Sequence, residues 1–277
     1  MAKQKIGRHS FRPGSPVFIS SWAAIAGKRE SEGPLGRKFD RCCRDTTFGE
    51  KTWEQAEKRM QQLALHQLLQ KTALTADALD MVFSGDLLNQ CIGSSFSLRN
   101  TGIPHLGLYG ACSTMALSLM MAAMAVGGGY ADRAVALTSS HFASAERQYR
   151  FPLGYGGQRP PTAQWTVTGS SAVLLSSAPA PIRIRSATIG TVTDLGITDA
   201  GNMGAAMAPV DVKHRPCYFH IFITYRLSIF LLSSRYSIYC YFSLHFQYIP
   251  VFKLCQLKKI NQICSLRHFQ NASLQDC

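Results

Sequence analysis

Acid is scarce in this chain: 16 Asp and Glu stand against 29 Lys and Arg, a formal charge of +13 over 277 residues. A surface that basic attracts anions, acidic lipid or nucleic acid. No basic-aromatic nucleic-acid motif precedes Asp211, however, so the charge reads first as solvated surface. None of the nine Cys stands in a C-x-x-C or Cys/His spacing of the zinc type, so no metal site is expected and the thiols are expected reduced. The basic residues 1–9 are followed by no long apolar run, so a cleaved secretory leader is not expected. Gly127-Gly-Gly129 and Gly154-Tyr-Gly156-Gly157 lack the strand-loop-helix setting with a following Lys-Ser/Thr that a phosphate loop requires. They read as helix end and turn.

The sharpest absence is positional. Residues 211–277 contain no Gly, no Trp and no Glu, although the chain holds 22 Gly. Phe, Tyr, Ile, Leu and Ser crowd that segment, with eight Lys and Arg against Asp211 and Asp276. A membrane hairpin needs about 20 uninterrupted apolar residues per span, and Arg226, Arg235 and His245 interrupt this one. A second domain would carry Gly and Ala at ordinary frequency. The expectation is a boundary near residue 210, with a folded unit over 1–210. Residues 211–277 are then an aberrant tail, frameshifted or non-native, without a stable fold.

Before that boundary, apolar runs alternate with helical periodicity. Strands are predicted over residues 16–27, 80–86, 105–110, 133–138 and 167–175, with a further, more exposed one over 181–193. A polar loop spans 28–47. An amphipathic helix is marked by Trp53, Ala56, Met60, Leu63, Leu65 and Leu68, with the polar residues between them facing out, and a second helix covers 88–98. A third, almost wholly apolar helix runs from Ser113 to Val126 and ends at the three glycines. The order implies an α/β fold, a mainly parallel sheet with helices on both faces. Ligands of such sheets sit at the carboxyl ends of strands, where Cys112 and His141 both fall.

The run His105-Leu-Gly-Leu-Tyr-Gly110-Ala-Cys112-Ser-Thr delivers one cysteine from a strand, through small residues, to the start of a helix. Unpaired N–H groups and the positive end of the helix dipole favour thiolate there. Three readings fit Cys112: an acyl-accepting nucleophile needing a base and an oxyanion hole, a remnant of one on a binding scaffold, or an inert core cysteine.

Long runs of residues 1–209 resemble the stage V sporulation protein AD family of thiolase-like proteins. They are Pro16-Val-Phe-Ile-Ser-Ser, Gly33-Pro-Leu-Gly-Arg-Lys-Phe-Asp40, Thr47-Phe-Gly-Glu-Lys-Thr-Trp-Glu54, Leu108-Tyr-Gly-Ala-Cys-Ser-Thr114, Ser139-Ser-His-Phe-Ala-Ser-Ala-Glu-Arg147 and the stretch 149–169. The resemblance implies a thiolase-like fold of which this chain supplies the N-terminal half. It also implies a protein that binds dipicolinic acid or its calcium complex without turning it over, acting with the other SpoVA channel proteins in dipicolinate uptake. Its expected place is peripheral, at the forespore or spore inner membrane, and a homodimer is implied. With no second half after residue 210, the expectation is a truncated, impaired protein whose Cys112 marks a vestigial nucleophile position.

Dipicolinate is a planar pyridine with two carboxylates, so its site calls for N–H or cationic donors and an apolar slot. Ser113 and the helix start supply donors, and His141 adds another or a proton-dependent charge. Arg147 and Arg159, with Arg150, lie on the loop expected after the fourth strand, where they would clamp carboxylates or remain solvated. No cofactor is expected. The rival reading is a thiolase-type acyltransferase that uses Cys112 on a coenzyme A thioester. The set Met115, Leu119, Met120 and Met124 is expected to pack between thiolase halves, and to leave an exposed patch where the second half is absent.

Overall fold

A computed structural model describes residues 4–149, 166–190, 196, 198 and 220–225, with only the backbone considered for residues 148, 149 and 220–225. Two short strands, β1 (Lys5–Ile6) and β2 (Ser10–Phe11), lead into the long β3 (Val17–Ala26). The expected polar loop carries a one-turn helix α1 (Lys28–Ser31) and a short strand β4 (Arg41–Cys42). Helix α2 (Trp53–Thr72) begins at Thr52, whose hydroxyl accepts from the Gln55 N–H at 3.3 Å, and ends on Ala73 in the left-handed region. Then come β5 (Met81–Gly85), α3 (Ile92–Leu98), β6 (His105–Gly107), α4 (Thr114–Gly127), β7 (Arg133–Ser140), α5 (Phe142–Tyr149), β8 (Gly169–Ser176), β9 (Ile182–Thr188) and β10 (His220–Tyr225).

The strands form one ten-stranded sheet with the main order β1-β2-β9-β3-β8-β7-β5-β6. It is mixed where the sequence pattern suggested a mainly parallel sheet. β6, β5 and β7 pair in parallel, but β8 runs antiparallel to both β7 and β3. The strand-helix alternation does set the direction of β3, β5, β6 and β7, which all point the same way. What it does not encode is that β8, the fifth predicted strand, inserts between the first and fourth and reverses there.

One irregularity in β3 distributes its side chains between two cores. The register against β8 shifts between Ile19 and Ser21, and an extra residue in a strand turns every later side chain to the other face. Val17 and Ile19 therefore join the core under α4, with Phe83, Ala134, Ala136, Val173 and Leu175. Ala23 and Ile25 join the core under α2, with Met60, Leu68, Val82, Val135 and Leu137. The result is a three-layer α/β/α arrangement. Within α4, Met115, Leu119 and Met120 are buried, whereas Met124 is 43% exposed.

No stable fold is expected after residue 210, and the one described stretch there is β10, antiparallel to β9. His220-Ile-Phe-Ile-Thr-Tyr225 is rich in β-branched and aromatic residues, which suit a pleated strand. Residues 211–219 and 226–277 lie outside the described residues.

Candidate functional site

The carboxyl end of β6 delivers the chain to Cys112 through a tight turn. Ala111 adopts φ 45, in the left-handed region, and residues Ala111–Ser113 form one turn of 3-10 helix before α4. That turn satisfies itself: the N–H and hydroxyl of Ser113 both donate to the Gly110 carbonyl, at 2.9 and 2.7 Å, and the Thr114 hydroxyl donates to Ala111 at 2.7 Å. The Ser113 and Thr114 N–H groups are thus taken within the turn, and the buried Ser113 hydroxyl is committed to its own backbone. Cys112 is half-buried. Beneath it, the Leu108 N–H donates to the Ser84 carbonyl at 2.7 Å. A Cβ at Gly85 would collide with the Leu108 carbonyl and the Thr114 methyl, so only glycine lets β5 support this turn.

His141 follows β7 directly and is buried. Its Nδ1 accepts the Ala143 N–H at 3.2 Å, so Nε2 carries the hydrogen and donates to the Thr46 carbonyl at 2.7 Å. Burial lowers its pKa, and the bond to Thr46 only partly offsets that. The ring opens α5 and ties it to the loop before α2. Arg147 lies on α5, not on a loop as expected. Its guanidinium pairs with Glu54 and sits 5.6 Å from the Trp53 ring centroid, fastening α5 to the start of α2. Arg159 and Arg150 fall outside the described residues. The structure therefore seats Cys112 with Ser113 in one turn and His141 with Arg147 on another helix, at the ends of β6 and β7, with β5 between these strands.

Sequence reasoning missed a polar cluster beside that turn. Glu57 and Gln61 of α2 are fully buried. They share the helix face of Ala56, Met60 and Ala64, though the periodicity had assigned the polar residues outward. Gln61 Nε2 lies 2.9 Å from the Ser139 hydroxyl and 3.0 Å from that of Ser94, while Ser97 donates to its Oε1 at 2.8 Å. Asp86, after β5, accepts from the Leu88 N–H at 2.8 Å and from the N–H and hydroxyl of Ser94, both at 2.6 Å. The detectable signal was a carboxylate and an amide spaced i, i+4 within the apolar stripe.

On β6, His105 Nε2 is 2.7 Å from the Ser84 hydroxyl, and burial lowers its pKa despite the opposing influence of Asp86. Cys91, left-handed at φ 51, donates its thiol to the Leu108 carbonyl at 3.4 Å. Burial and then Asp86 push that thiol's pKa up, the reverse of an activated nucleophile. Among the described residues no group of three His, Cys, Asp or Glu could hold a metal ion, and no helix is long and apolar enough to cross a membrane.

Among solved structures, the chain is similar to a germicidin synthase from Streptomyces coelicolor, a type III polyketide synthase, at 12% identity and a TM-score of 0.45, covering 67% of this chain and 66% of that one. The 3-oxoacyl-[acyl-carrier-protein] synthase III of Aquifex aeolicus VF5 matches at 14% identity and a TM-score of 0.37, covering 63% and 56%. In sequence, it is 48% identical over 194 residues to stage V sporulation protein AD of Bacillus subtilis strain 168, covering 70% of this chain and 57% of that relative. The chain thus aligns with little over half of the relative's length. The model of the family stage V sporulation protein AD matches residues 7–221, reaching past residue 210 and into β10. With both the family pattern and this relative aligned through the Cys112 turn, the chain belongs to the stage V sporulation protein AD family.

Proposed function

We propose that this chain binds dipicolinic acid, or its calcium complex, as an accessory of the SpoVA channel proteins in dipicolinate uptake during sporulation. It would do so peripherally at the forespore or spore inner membrane, as a homodimer. The observation that carries the reading is the family match over residues 7–221. The chemistry agrees with it: a flat dianion suits a helix start, and α4 presents its first helical turn, Ala111–Ser113, at the carboxyl edge of the sheet. Because the hydroxyl and the N–H of Ser113 are both held by the Gly110 carbonyl, the positive end of the α4 dipole rather than Ser113 draws the dianion in this reading. Cys112 then lines the site.

The test is calorimetric titration of pyridine-2,6-dicarboxylate, with and without calcium, into the 277-residue chain. Binding is expected to survive Cys112→Ser and to weaken by about tenfold or more, some 1.4 kcal/mol, in Cys112→Phe, which fills the turn. Equal affinity in the wild type and Cys112→Phe overturns the placement. A stable acyl adduct on Cys112 after incubation with acyl-coenzyme A, seen by mass spectrometry, favours the acyltransferase reading instead.

A further inference from the structure

We propose that Glu57 is a proton-operated latch: as a neutral acid it holds α2, α3 and α5 together at the carboxyl ends of β5 and β7, and its ionisation loosens that junction. The Ser139 hydroxyl lies 3.1 Å from Glu57 Oε1, and that of Ser144 lies 2.8 Å from Oε2. Ser139 also receives the Gln61 amide at 2.9 Å, and Ser144 also reaches the His141 carbonyl at 3.1 Å. With Glu57 protonated, one unbroken sequence runs beside the Leu87 N–H that also reaches the carboxyl: Gln61 N–H to Ser139, Ser139 O–H to Glu57 Oε1, Glu57 O–H to Ser144, and Ser144 O–H to the His141 carbonyl. Ionised, Glu57 has no hydrogen to give. Ser144 must then turn its single hydrogen toward the carboxylate and abandon the His141 carbonyl, which is left with the Ala145 N–H at 2.9 Å alone.

The surroundings disfavour charge as well. Glu57 is 0% exposed, and the carboxylate of Asp86 already takes the donors at the start of α3. The elements packed around Glu57 bring no compensating cation. α3 and β7 offer Ser94, Ser97 and Ser139, and both ring nitrogens of His141 are committed to Thr46 and Ala143. On α5, Glu146 accepts from Thr166 at 2.9 Å, and Arg147 faces Glu54 at the surface. On α2 itself, Lys58 faces Glu50 at 3.5 Å. Close packing leaves little room for rearrangement: a Cβ at Gly93 would lie 3.2 Å from the Asp86 carboxyl and 3.5 Å from Glu57 Cγ. Consistently, burial first and the Asp86 charge second push Glu57 up to about 7, against the opposing hydrogen bonds from Ser144, Ser139 and the Leu87 N–H.

Amide exchange followed by mass spectrometry, comparing the full-length wild type with Glu57→Gln at matched pH, tests the latch. The ratio of wild-type to variant exchange in α3 and α5 is expected to rise by roughly fiftyfold or more between about pH 5 and pH 8, levelling off above about pH 7. A ratio independent of pH overturns the proposal. Should Glu57→Gln fail to fold, infrared spectroscopy of the wild type gives the answer alone: a buried carboxylic-acid carbonyl band must be present at about pH 6 and lost near pH 8. Its absence at the lower pH overturns the latch. If Glu57→Gln folds and keeps that band, the proton belongs to Asp86, which overturns it equally.

Discussion

Gly85→Ala is the most direct probe of how the Cys112 turn is supported. The added methyl meets a backbone carbonyl, that of Leu108, and the methyl of Thr114. A flexible side chain would swing away, but Leu108 is held by its N–H bond to the Ser84 carbonyl at 2.7 Å, and the parallel register pairs Ser84 with Gly107. The overpacking must therefore move either the edge of the sheet or the start of α4. Such insertions cost about 1–3 kcal/mol, and a collision with fixed backbone belongs at the top of that range. About 3 kcal/mol displaces a urea midpoint by about 1–2 M at ordinary denaturant slopes. Gly107→Ala, one strand away, is the control: its Cβ would find nothing nearer than 3.8 Å, at Cys91 and His105. That substitution is expected to be neutral or to stabilise by up to about 1 kcal/mol, because it restricts the unfolded chain. Adding Thr114→Ser to Gly85→Ala should recover part of the loss by removing one of the two collisions. Urea unfolding of the four proteins decides the matter. If Gly85→Ala lies within about 0.5 kcal/mol of wild type, the turn is not seated on β5 as described.

Two further outcomes are expected. Gln61→Leu keeps volume but deprives the Ser94 and Ser139 hydroxyls of a buried donor, so it should cost about 1–3 kcal/mol in the same assay, and a neutral result would remove Gln61 as the hub of the cluster. His141, whose folded pKa is depressed below 6.5 by burial, contributes stability that is present above the ordinary histidine value and lost as pH falls through the lower folded one. Its ring resonances should titrate below the ordinary histidine value from a neutral, Nε2-protonated imidazole, and titration at or above that value would contradict the Thr46 and Ala143 contacts.

The sequence by itself determined the local story. Apolar runs located β3, β5, β6, β7, β8 and β9, because a buried strand must be apolar wherever it packs. The 3.6 period located α2 and α4, and the small-residue bend marked Cys112 as the end of a strand and the start of a helix. Family membership was legible in contiguous motifs. Tertiary structure decided what depends on partners distant in sequence. The insertion of β8 between β3 and β7, the bulge that turns β3 from one core to the other, and the fastening of Arg147 to Trp53 and Glu54 leave no local trace. Glu57 and Gln61 make the same point most clearly. On a helical wheel they are polar residues destined for water; only the approach of Ser94, Ser97, Ser139 and Ser144 from three other elements makes their burial affordable, since a buried polar group is stable only when hydrogen-bonded.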